Sequence, residues 1–394
     1  MLKKRLLPIF IIGATLVLLL AFSGNVGAQD SSLTPLEELG KALFFDKNLS
    51  LALDVSCASC HAPEVGWTGP VEAINMGGTV YPGSIPTRFG NRKPPSSAYG
   101  GDSPLLHYDE ALDSWVGGMF WDGRATGWTL GDPLAEQAQG PFLNPLEQAI
   151  PNAKLLCLKV KQSDYAGLYE DIWGALDCVN DVNGAYESFG RSIAAYERST
   201  EVSSFTSKYD YYLMGQANLT GMEAQGLELF EGKADCSKCH PSPLFTDFTY
   251  DNLGMPKNPE NPFYDMPRKW NPDGEDWVDY GLGSFLMGAG YSEEIYSPEL
   301  GKHKVPTLRN VDKRPSADFV KAYGHNGYFK SLEEITHYYN TRDVPGAGWD
   351  GMPWPEPEVS LNINTEELGN LGLTPQEESA LVAFMKTLSD GYVP

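Results

Sequence analysis

The pattern Cys-x-x-Cys-His occurs twice in this chain and constrains its fold more than any other feature. The two copies comprise Cys57, Cys60 and His61, and Cys236, Cys239 and His240. In such a pattern two thiols bond covalently to a porphyrin, and the adjacent histidine supplies an axial nitrogen to its iron. Zinc would need further paired cysteines or histidines, whereas the other histidines are widely separated: His107, His303, His325 and His337. The sequence therefore predicts two covalently bound haem c groups, with His61 and His240 as axial ligands.

The first 28 residues have the composition of an export signal. Basic residues at positions 3–5 precede an apolar run over residues 6–22, and small residues then lead to Ala28. An uncleaved membrane anchor is the alternative, because the apolar run approaches the length that spans a bilayer. Both interpretations put the rest of the chain outside the cytoplasm, and we expect a periplasmic protein.

The chain is strongly acidic, with 29 Lys and Arg residues against 52 Asp and Glu residues and a formal charge of −23. Such a surface repels nucleic acid and anionic lipid, so we expect neither as a partner. A protein with a basic face would be attracted, although the charge also fits simple solubility.

Cys157 and Cys178 remain after the two haem motifs are assigned. An even remainder in an oxidising compartment predicts a disulfide. The alternative is a pair of buried thiols.

The predicted fold class is mainly α, with two cytochrome c-like haem domains and long irregular loops. Helical spacing of apolar residues predicts helices over residues 182–198, 220–231 and 374–388, the last opened by Thr374 as a cap. Pro- and Gly-rich stretches over residues 77–101 and 252–283 need a large group to order them. We expect domains over residues 29–205 and 206–394. The tract 345–357, which holds Trp349 and Trp354, is predicted to be a surface loop or a partner contact.

An ordered series of motifs resembles the signature of the bacterial di-haem cytochrome c peroxidase and MauG family. The motifs are LGKALFFD at 39–46, FWDGR at 120–124, EQA at 136–138, GP at 140–141, NPLE at 144–147, VPTLRNV at 305–311 and HNG at 325–327. The resemblance implies an exported peroxidase that reduces hydrogen peroxide at the first haem with electrons passed through the second. Its electron donor would be a small cytochrome c or a copper protein.

The resemblance also implies roles for three residues near the first haem. Gln137 and Glu147 match an amide and a carboxylate that assist peroxide cleavage, since a carboxylate can move the proton that O–O cleavage requires. Trp121 matches a tryptophan that lies between the two haems and assists electron transfer. The alternatives are an exposed helix-entry carboxylate for Glu147 and a core side chain for Trp121. Asp122 and Arg124 are expected to fix the turn through a charge-assisted hydrogen bond.

Two positions depart from the ordinary peroxidases. No histidine occurs over residues 62–106, where the resemblance leads us to expect one that caps the first iron, and Gly77 stands near that place. We therefore expect an open first iron, unless His107 folds back as a substitute. At the second iron Tyr339 replaces the expected methionine, as in MauG proteins, and shares a helix face with Leu332 and Ile335. The alternative ligands are Met255, Met266, Met287, Tyr338 and His337.

The remaining expectations concern calcium, two histidines and the reaction. The resemblance implies a calcium ion between the domains, but residues 91–93 and 311–315 match its ligands poorly. His303 and His325 are expected to be structural, with His325 able to reach a haem propionate. Two other functions stay open, namely MauG-like oxidation of side chains in a partner protein and non-enzymatic electron transfer. The sequence leaves the oligomeric state open, and a homodimer is one alternative.

Overall fold

The computed structural model describes residues 32–394, which form a mainly helical protein with few strands. The predicted leader over residues 1–28 lies outside the described residues. The α-helices are α1 (Pro35–Phe45), α2 (Glu72–Met76), α3 (Pro133–Leu143), α4 (Ala153–Lys161), α5 (Ala166–Trp173), α6 (Val182–Arg198), α7 (Lys208–Leu213), α8 (Gly221–Glu231), α9 (Gly281–Gly288), α10 (Glu293–Tyr296), α11 (Leu332–Thr341) and α12 (Pro375–Lys386). The strands, which form two antiparallel pairs, are β1 (His107–Asp109) with β2 (Ser114–Val116) and β3 (Tyr250–Asp251) with β4 (His303–Lys304). No helix within residues 32–394 has both the length and the apolar composition needed to cross a membrane.

The first large core is built on the crossing of α1 and α6. Gly40 lies at the crossing, where a Cβ atom would come within 1.9 Å of the Ser192 carbonyl oxygen. Only glycine permits so close a backbone approach. The Cys157–Cys178 disulfide lies in the same core and ties α4 to the segment before α6, which confirms the predicted pairing.

The second large core repeats this arrangement with α8 and α12. Gly226 lies at their crossing, and a Cβ atom there would come within 1.9 Å of the Ala380 carbonyl oxygen. Phe230 and Phe384 pack across the same contact with ring centroids 5.1 Å apart. The apolar side chains that surround the two crossings form separate clusters, drawn mainly from residues 39–202 and 209–388. The division into two haem domains near residue 205 stays a prediction, in agreement with these clusters.

Buried polar contacts join the two halves. Arg309 is fully buried, and its guanidinium donates two hydrogen bonds to Asp210, at 2.8 and 2.7 Å. The guanidinium also lies over the ring of Tyr99, at 5.0 Å from its centroid. Tyr99 in turn donates to Asp390 near the end of the chain, at 2.7 Å. The ion pair itself lies within the second half, and Tyr99 of the first half meets it through the Arg309 guanidinium and through Asp390.

The predicted helices are confirmed. The expected helix over residues 182–198 is α6, and Thr220 and Thr374 cap α8 and α12 with the capping-box geometry. Residues 77–101 contain no helix after α2, so this long stretch is ordered without regular structure.

Candidate functional site: two cavities

Each Cys-x-x-Cys-His motif forms a short 3₁₀ turn on the wall of a separate cavity. The first cavity, of about 150 Å³, is lined by Cys57, Cys60 and His61. The second, of about 280 Å³, is lined by Cys236, Cys239 and His240. The four cysteines are not joined in disulfides.

The two histidine rings are held in the same way. His61 Nδ1 lies 3.2 Å from the carbonyl oxygen of Trp67, and His240 Nδ1 lies 2.9 Å from that of Phe245. Trp67 and Phe245 both adopt positive φ angles, of 63° and 55°, which large side chains rarely do. A backbone carbonyl bound to Nδ1 leaves Nε2 of each ring for a metal. Burial lowers the pKa of His61 to about 4, so its ring is neutral, as metal ligation requires.

These features fit two c-type haems. Each cavity brings together two thiols for covalent attachment and one neutral imidazole oriented by a backbone carbonyl. The second cavity also has the apolar wall that a porphyrin needs, including Leu332, Ile335, Leu371 and Leu381. The donor set and its surroundings therefore match the prosthetic group that the sequence predicts.

Glu147 and Gln137, the two residues expected near the first haem, both line the first cavity. Gln137 comes from α3, and Glu147 from the turn that follows it. Asn144 Nδ2 donates to Glu147 Oε1 at 2.8 Å and so fixes the carboxylate. Exclusion of water raises the pKa of Glu147, while Arg124 and Asn144 partly oppose that rise. His61 is the only histidine among the residues described on this wall.

The neighbouring carboxylate, Glu136, has a different task. Its two oxygens accept from the backbone N–H groups of Gly127, Thr129 and Leu130 at 2.6–2.8 Å. Glu136 therefore holds the loop before α3 in place. The EQA motif thus combines a structural carboxylate with a cavity-lining amide.

Trp121 lines both cavities. Its indole is buried, and Nε1 donates to the carbonyl oxygen of Lys93 at 2.8 Å. Arg124 Nη1 donates to both carboxylate oxygens of Asp122 at 2.9 Å, so the predicted hydrogen bond across this turn is confirmed. The turn therefore presents the indole at the boundary between the cavities.

Tyr339 and Met255 both line the second cavity, and Tyr339 shares its wall with Leu332 and Ile335. Burial raises the pKa of the Tyr339 phenol, and the nearby Cys239 raises it further.

The structure does not bring the other candidate ligands to this wall. Tyr338 donates to the carbonyl oxygen of Gly254, and the two ring nitrogens of His337 face Glu378 and the carbonyl oxygen of Ala347. Met266 is buried elsewhere, and Met287 is 51% exposed.

His107 and Gly77 lie away from the first cavity. His107 is exposed on β1, with Nδ1 2.8 Å from the carbonyl oxygen of Leu105, and it does not line the cavity wall. Gly77 caps α2 and faces the side chain of Glu260.

A buried charged cluster beside Trp121 escaped the sequence prediction. Arg92 bridges Asp122, at 2.6 Å, and Asp279, at 2.6 and 2.7 Å. Arg92 holds the pKa of Asp279 well below its usual range, against the opposing effect of burial. His303 and His325 stack beside this cluster, with ring centroids 3.5 Å apart. No local signal marks Arg92, because its partner Asp279 lies 187 positions away.

Several known proteins are similar to this chain over most of its length. Residues 34–218 match the family model described as di-haem cytochrome c peroxidase. The chain is 33% identical over 392 residues to the methylamine utilization protein MauG of Paracoccus denitrificans, covering 96% of this chain and 94% of that protein. It is 30% identical to the cytochrome-c peroxidase IdrP1 of Denitromonas iodatirespirans, covering 89% and 80%. Among solved structures, the diheme peroxidase BthA of Burkholderia thailandensis covers 91% of this chain and 87% of its own, with a TM-score of 0.76 and 30% identity.

Proposed function

Because this chain belongs to the di-haem cytochrome c peroxidase family, whose members are oxidoreductases that use peroxide, we propose that it reduces hydrogen peroxide at the first cavity with electrons taken through the second. One observation carries this assignment of roles. Glu147 and Gln137, which can handle protons and orient peroxide, line the cavity of His61, whereas Tyr339 and Met255 line the cavity of His240.

The chain provides attachment for two haems. Cys57, Cys60 and His61 would hold the first, and Cys236, Cys239 and His240 the second. A bound haem would supply the redox-active iron at which peroxide is reduced.

Glu147 moves the proton. Its carboxylate accepts a proton from one peroxide oxygen and delivers it to the other, so that the O–O bond breaks and water leaves. The raised pKa suits this task, because the group must both accept and release a proton. Gln137 cannot titrate, and its amide orients the peroxide.

Trp121 carries electrons between the cavities. The reduction of one peroxide to two water molecules consumes two electrons and two protons. An indole can lose and regain one electron, and Trp121 lines both cavities. We propose Tyr339 as the further iron ligand in the second cavity, with Met255 as the alternative.

MauG-like oxidation of side chains in a partner protein is a second candidate. The identity to MauG over nearly the whole chain favours it, together with Tyr339 on the wall of the second cavity. Both candidates share the same peroxide chemistry and differ in the source of the electrons.

We also propose a periplasmic location, supported by the leader-like residues 1–28 and by the Cys157–Cys178 disulfide. Calcium is not part of the proposal. Asp122 and Asp279, two buried carboxylates beside Arg92, are already paired with the guanidinium groups of Arg92 and Arg124.

Spectroscopy of the oxidised holoprotein, followed by one equivalent of peroxide without a donor, tests the proposal. We expect one high-spin and one low-spin haem and a rapid change in both spectra. Two low-spin haems that do not react with peroxide would contradict the proposal and indicate an electron-transfer cytochrome.

A further inference from the structure

A row of aromatic side chains connects the helix that carries Tyr339 to the protein surface. Tyr338, the preceding residue of α11, packs edge-on against Trp354 with ring centroids 5.0 Å apart. Trp354 packs against His337 at 6.1 Å, and His337 against Trp349 at 5.7 Å. Tyr338 is almost fully buried, whereas Trp349 is 46% exposed. We call Tyr338, Trp354, His337 and Trp349 the aromatic row.

The inner end of the aromatic row belongs to the core around the second cavity. Tyr338 lies in the same buried cluster as Met255 and Leu332, and both of these residues line that cavity. Phe329 contacts both Tyr338 and Trp354, with centroids at 4.8 and 6.0 Å. The row thus extends outwards from the core behind the wall of the second cavity.

Hydrogen bonds fix the rings that can be oxidised. Trp354 Nε1 donates to the hydroxyl oxygen of Thr341 at 3.1 Å, and the Tyr338 hydroxyl donates to the carbonyl oxygen of Gly254. Neither acceptor is a base strong enough to keep the donated proton. The Trp354 indole can therefore lose one electron and regain it while it keeps its proton. An oxidised phenol is too strong an acid to do the same without a base, so Tyr338 serves as packed medium that the electron crosses.

The outer end of the row lies in an acidic segment. Residues 343–367 contain six carboxylates and neither Lys nor Arg. Asp350, Glu356 and Glu366 are exposed, and Asp350 directly follows Trp349. An acidic surface around an exposed indole favours a partner with a basic face.

We propose that the segment 343–367 docks a small redox protein with a basic face, and that the aromatic row brings its electrons to the second cavity. This inference rests on the proposed peroxidase function. Trp349 passes one electron inward across His337 to Trp354 and on across Tyr338, and it regains one from the redox centre of the partner, which is oxidised. Two such transfers, with two protons from solvent, reduce one hydrogen peroxide to two water molecules.

The test uses the holoprotein with Trp349→Phe and Trp354→Phe, and with Trp128→Phe as the matched control. Trp128 is 50% exposed, and its indole donates to the carbonyl oxygen of Leu106. No aromatic ring pairs with it within residues 32–394. The two donors are a reduced mitochondrial cytochrome c with a basic surface and hydroquinone, a small neutral reductant.

We expect peroxide-driven oxidation of the cytochrome to fall severalfold in both row variants and to stay unchanged in Trp128→Phe. Oxidation of hydroquinone should be the same in all four proteins, because a small molecule needs no docking surface. Salt should slow the cytochrome reaction of the unaltered protein, since it screens the acidic segment. Equal cytochrome rates in all four proteins would overturn the inference, as would a cytochrome that is not oxidised while hydroquinone is.

A second readout does not depend on turnover. Peroxide without any donor should leave oxidised indole at Trp349, detected by mass spectrometry of peptides, and Trp354→Phe should abolish that product. Oxidation at Trp128 in place of Trp349 would contradict the route. If the unaltered holoprotein fails to consume peroxide with hydroquinone, the peroxidase proposal itself fails. If it consumes peroxide with hydroquinone but does not oxidise the cytochrome, only the docking and the aromatic row fail.

Discussion

Each half of the chain builds its cavity from the same parts. A helix with the pattern G-x-x-L-F, at residues 40–44 and 226–230, crosses a second helix at its glycine. A Cys-x-x-Cys-His turn follows, and the carbonyl of an aromatic residue with positive φ binds the histidine ring. The remaining walls differ, since Glu147 and Gln137 line the first cavity, whereas Tyr339 and Met255 line the second.

Both cavity walls contain a buried carboxylate that accepts from an asparagine side chain, but the carboxylate stands in a different place in each. Glu147 accepts from Asn144 in the first cavity wall, and Asp251 accepts from Asn364 in the second, at 2.8 and 2.7 Å. Burial raises the pKa of both carboxyls. Asp251, however, lies close to Cys239 and Glu367, on the side of the cavity where the Cys-x-x-Cys-His turn stands. The difference between the cavities therefore depends on where a carboxylate stands and not on whether one is present.

The largest expected effect comes from Glu147→Gln, with Asp251→Asn as the matched control. Loss of the proton carrier should slow the reaction with peroxide by about 10²–10⁴-fold. Stopped-flow spectra of the holoproteins measure this rate, and Asp251→Asn should react as fast as the unaltered protein. An equal loss of rate in both variants would contradict the assignment of proton transfer to the first cavity alone.

The pH profile sharpens the same comparison. Glu147 must be ionised to accept a proton, so the rate should fall as the pH drops through its pKa in the folded protein. Because that pKa is raised, the fall should come at a higher pH than the ordinary value of 4.5. In Glu147→Gln the rate should not fall over this pH range. If the rate of Glu147→Gln still falls at low pH, the group that titrates is not Glu147.

The next prediction tests whether both halves are built on the same helix crossing. In Gly40→Ala and Gly226→Ala the new Cβ atom would meet a backbone carbonyl oxygen at 1.9 Å, so the crossing helices must move apart. Overpacking of this kind costs about 1–3 kcal/mol of unfolding free energy. Denaturant unfolding measures the loss, with Gly167→Ala, which meets no neighbouring atom, as the control. A loss confined to one of the two crossing variants would show that the halves are not built alike.

The sequence predicted local features well and distant ones poorly. The helix over 182–198, the caps at Thr220 and Thr374 and the haem motifs depend on residues close in sequence, and the structure confirms the helix and both caps. The placement of Glu147 near His61 came from resemblance and not from spacing. Arg92 was missed because its two carboxylates come from distant loops, and no periodicity encodes such a meeting.

The smallest effect on the peroxide rate is expected from Tyr339→Phe, with Met255→Leu as its counterpart. Neither residue lines the first cavity, so both variants should react with peroxide at the rate of the unaltered protein. The low-spin haem signal should change in the variant that loses the iron ligand and persist in the other. Neither Phe nor Leu can bind iron, so only loss of the true ligand alters the coordination that the spectrum reports. If Met255→Leu alone changes that signal, Met255 replaces Tyr339 in the second cavity, while the assignment of peroxide to the first cavity stands. A slower peroxide reaction in Tyr339→Phe would instead mean that the two cavities share the chemistry that the comparison assigns to one.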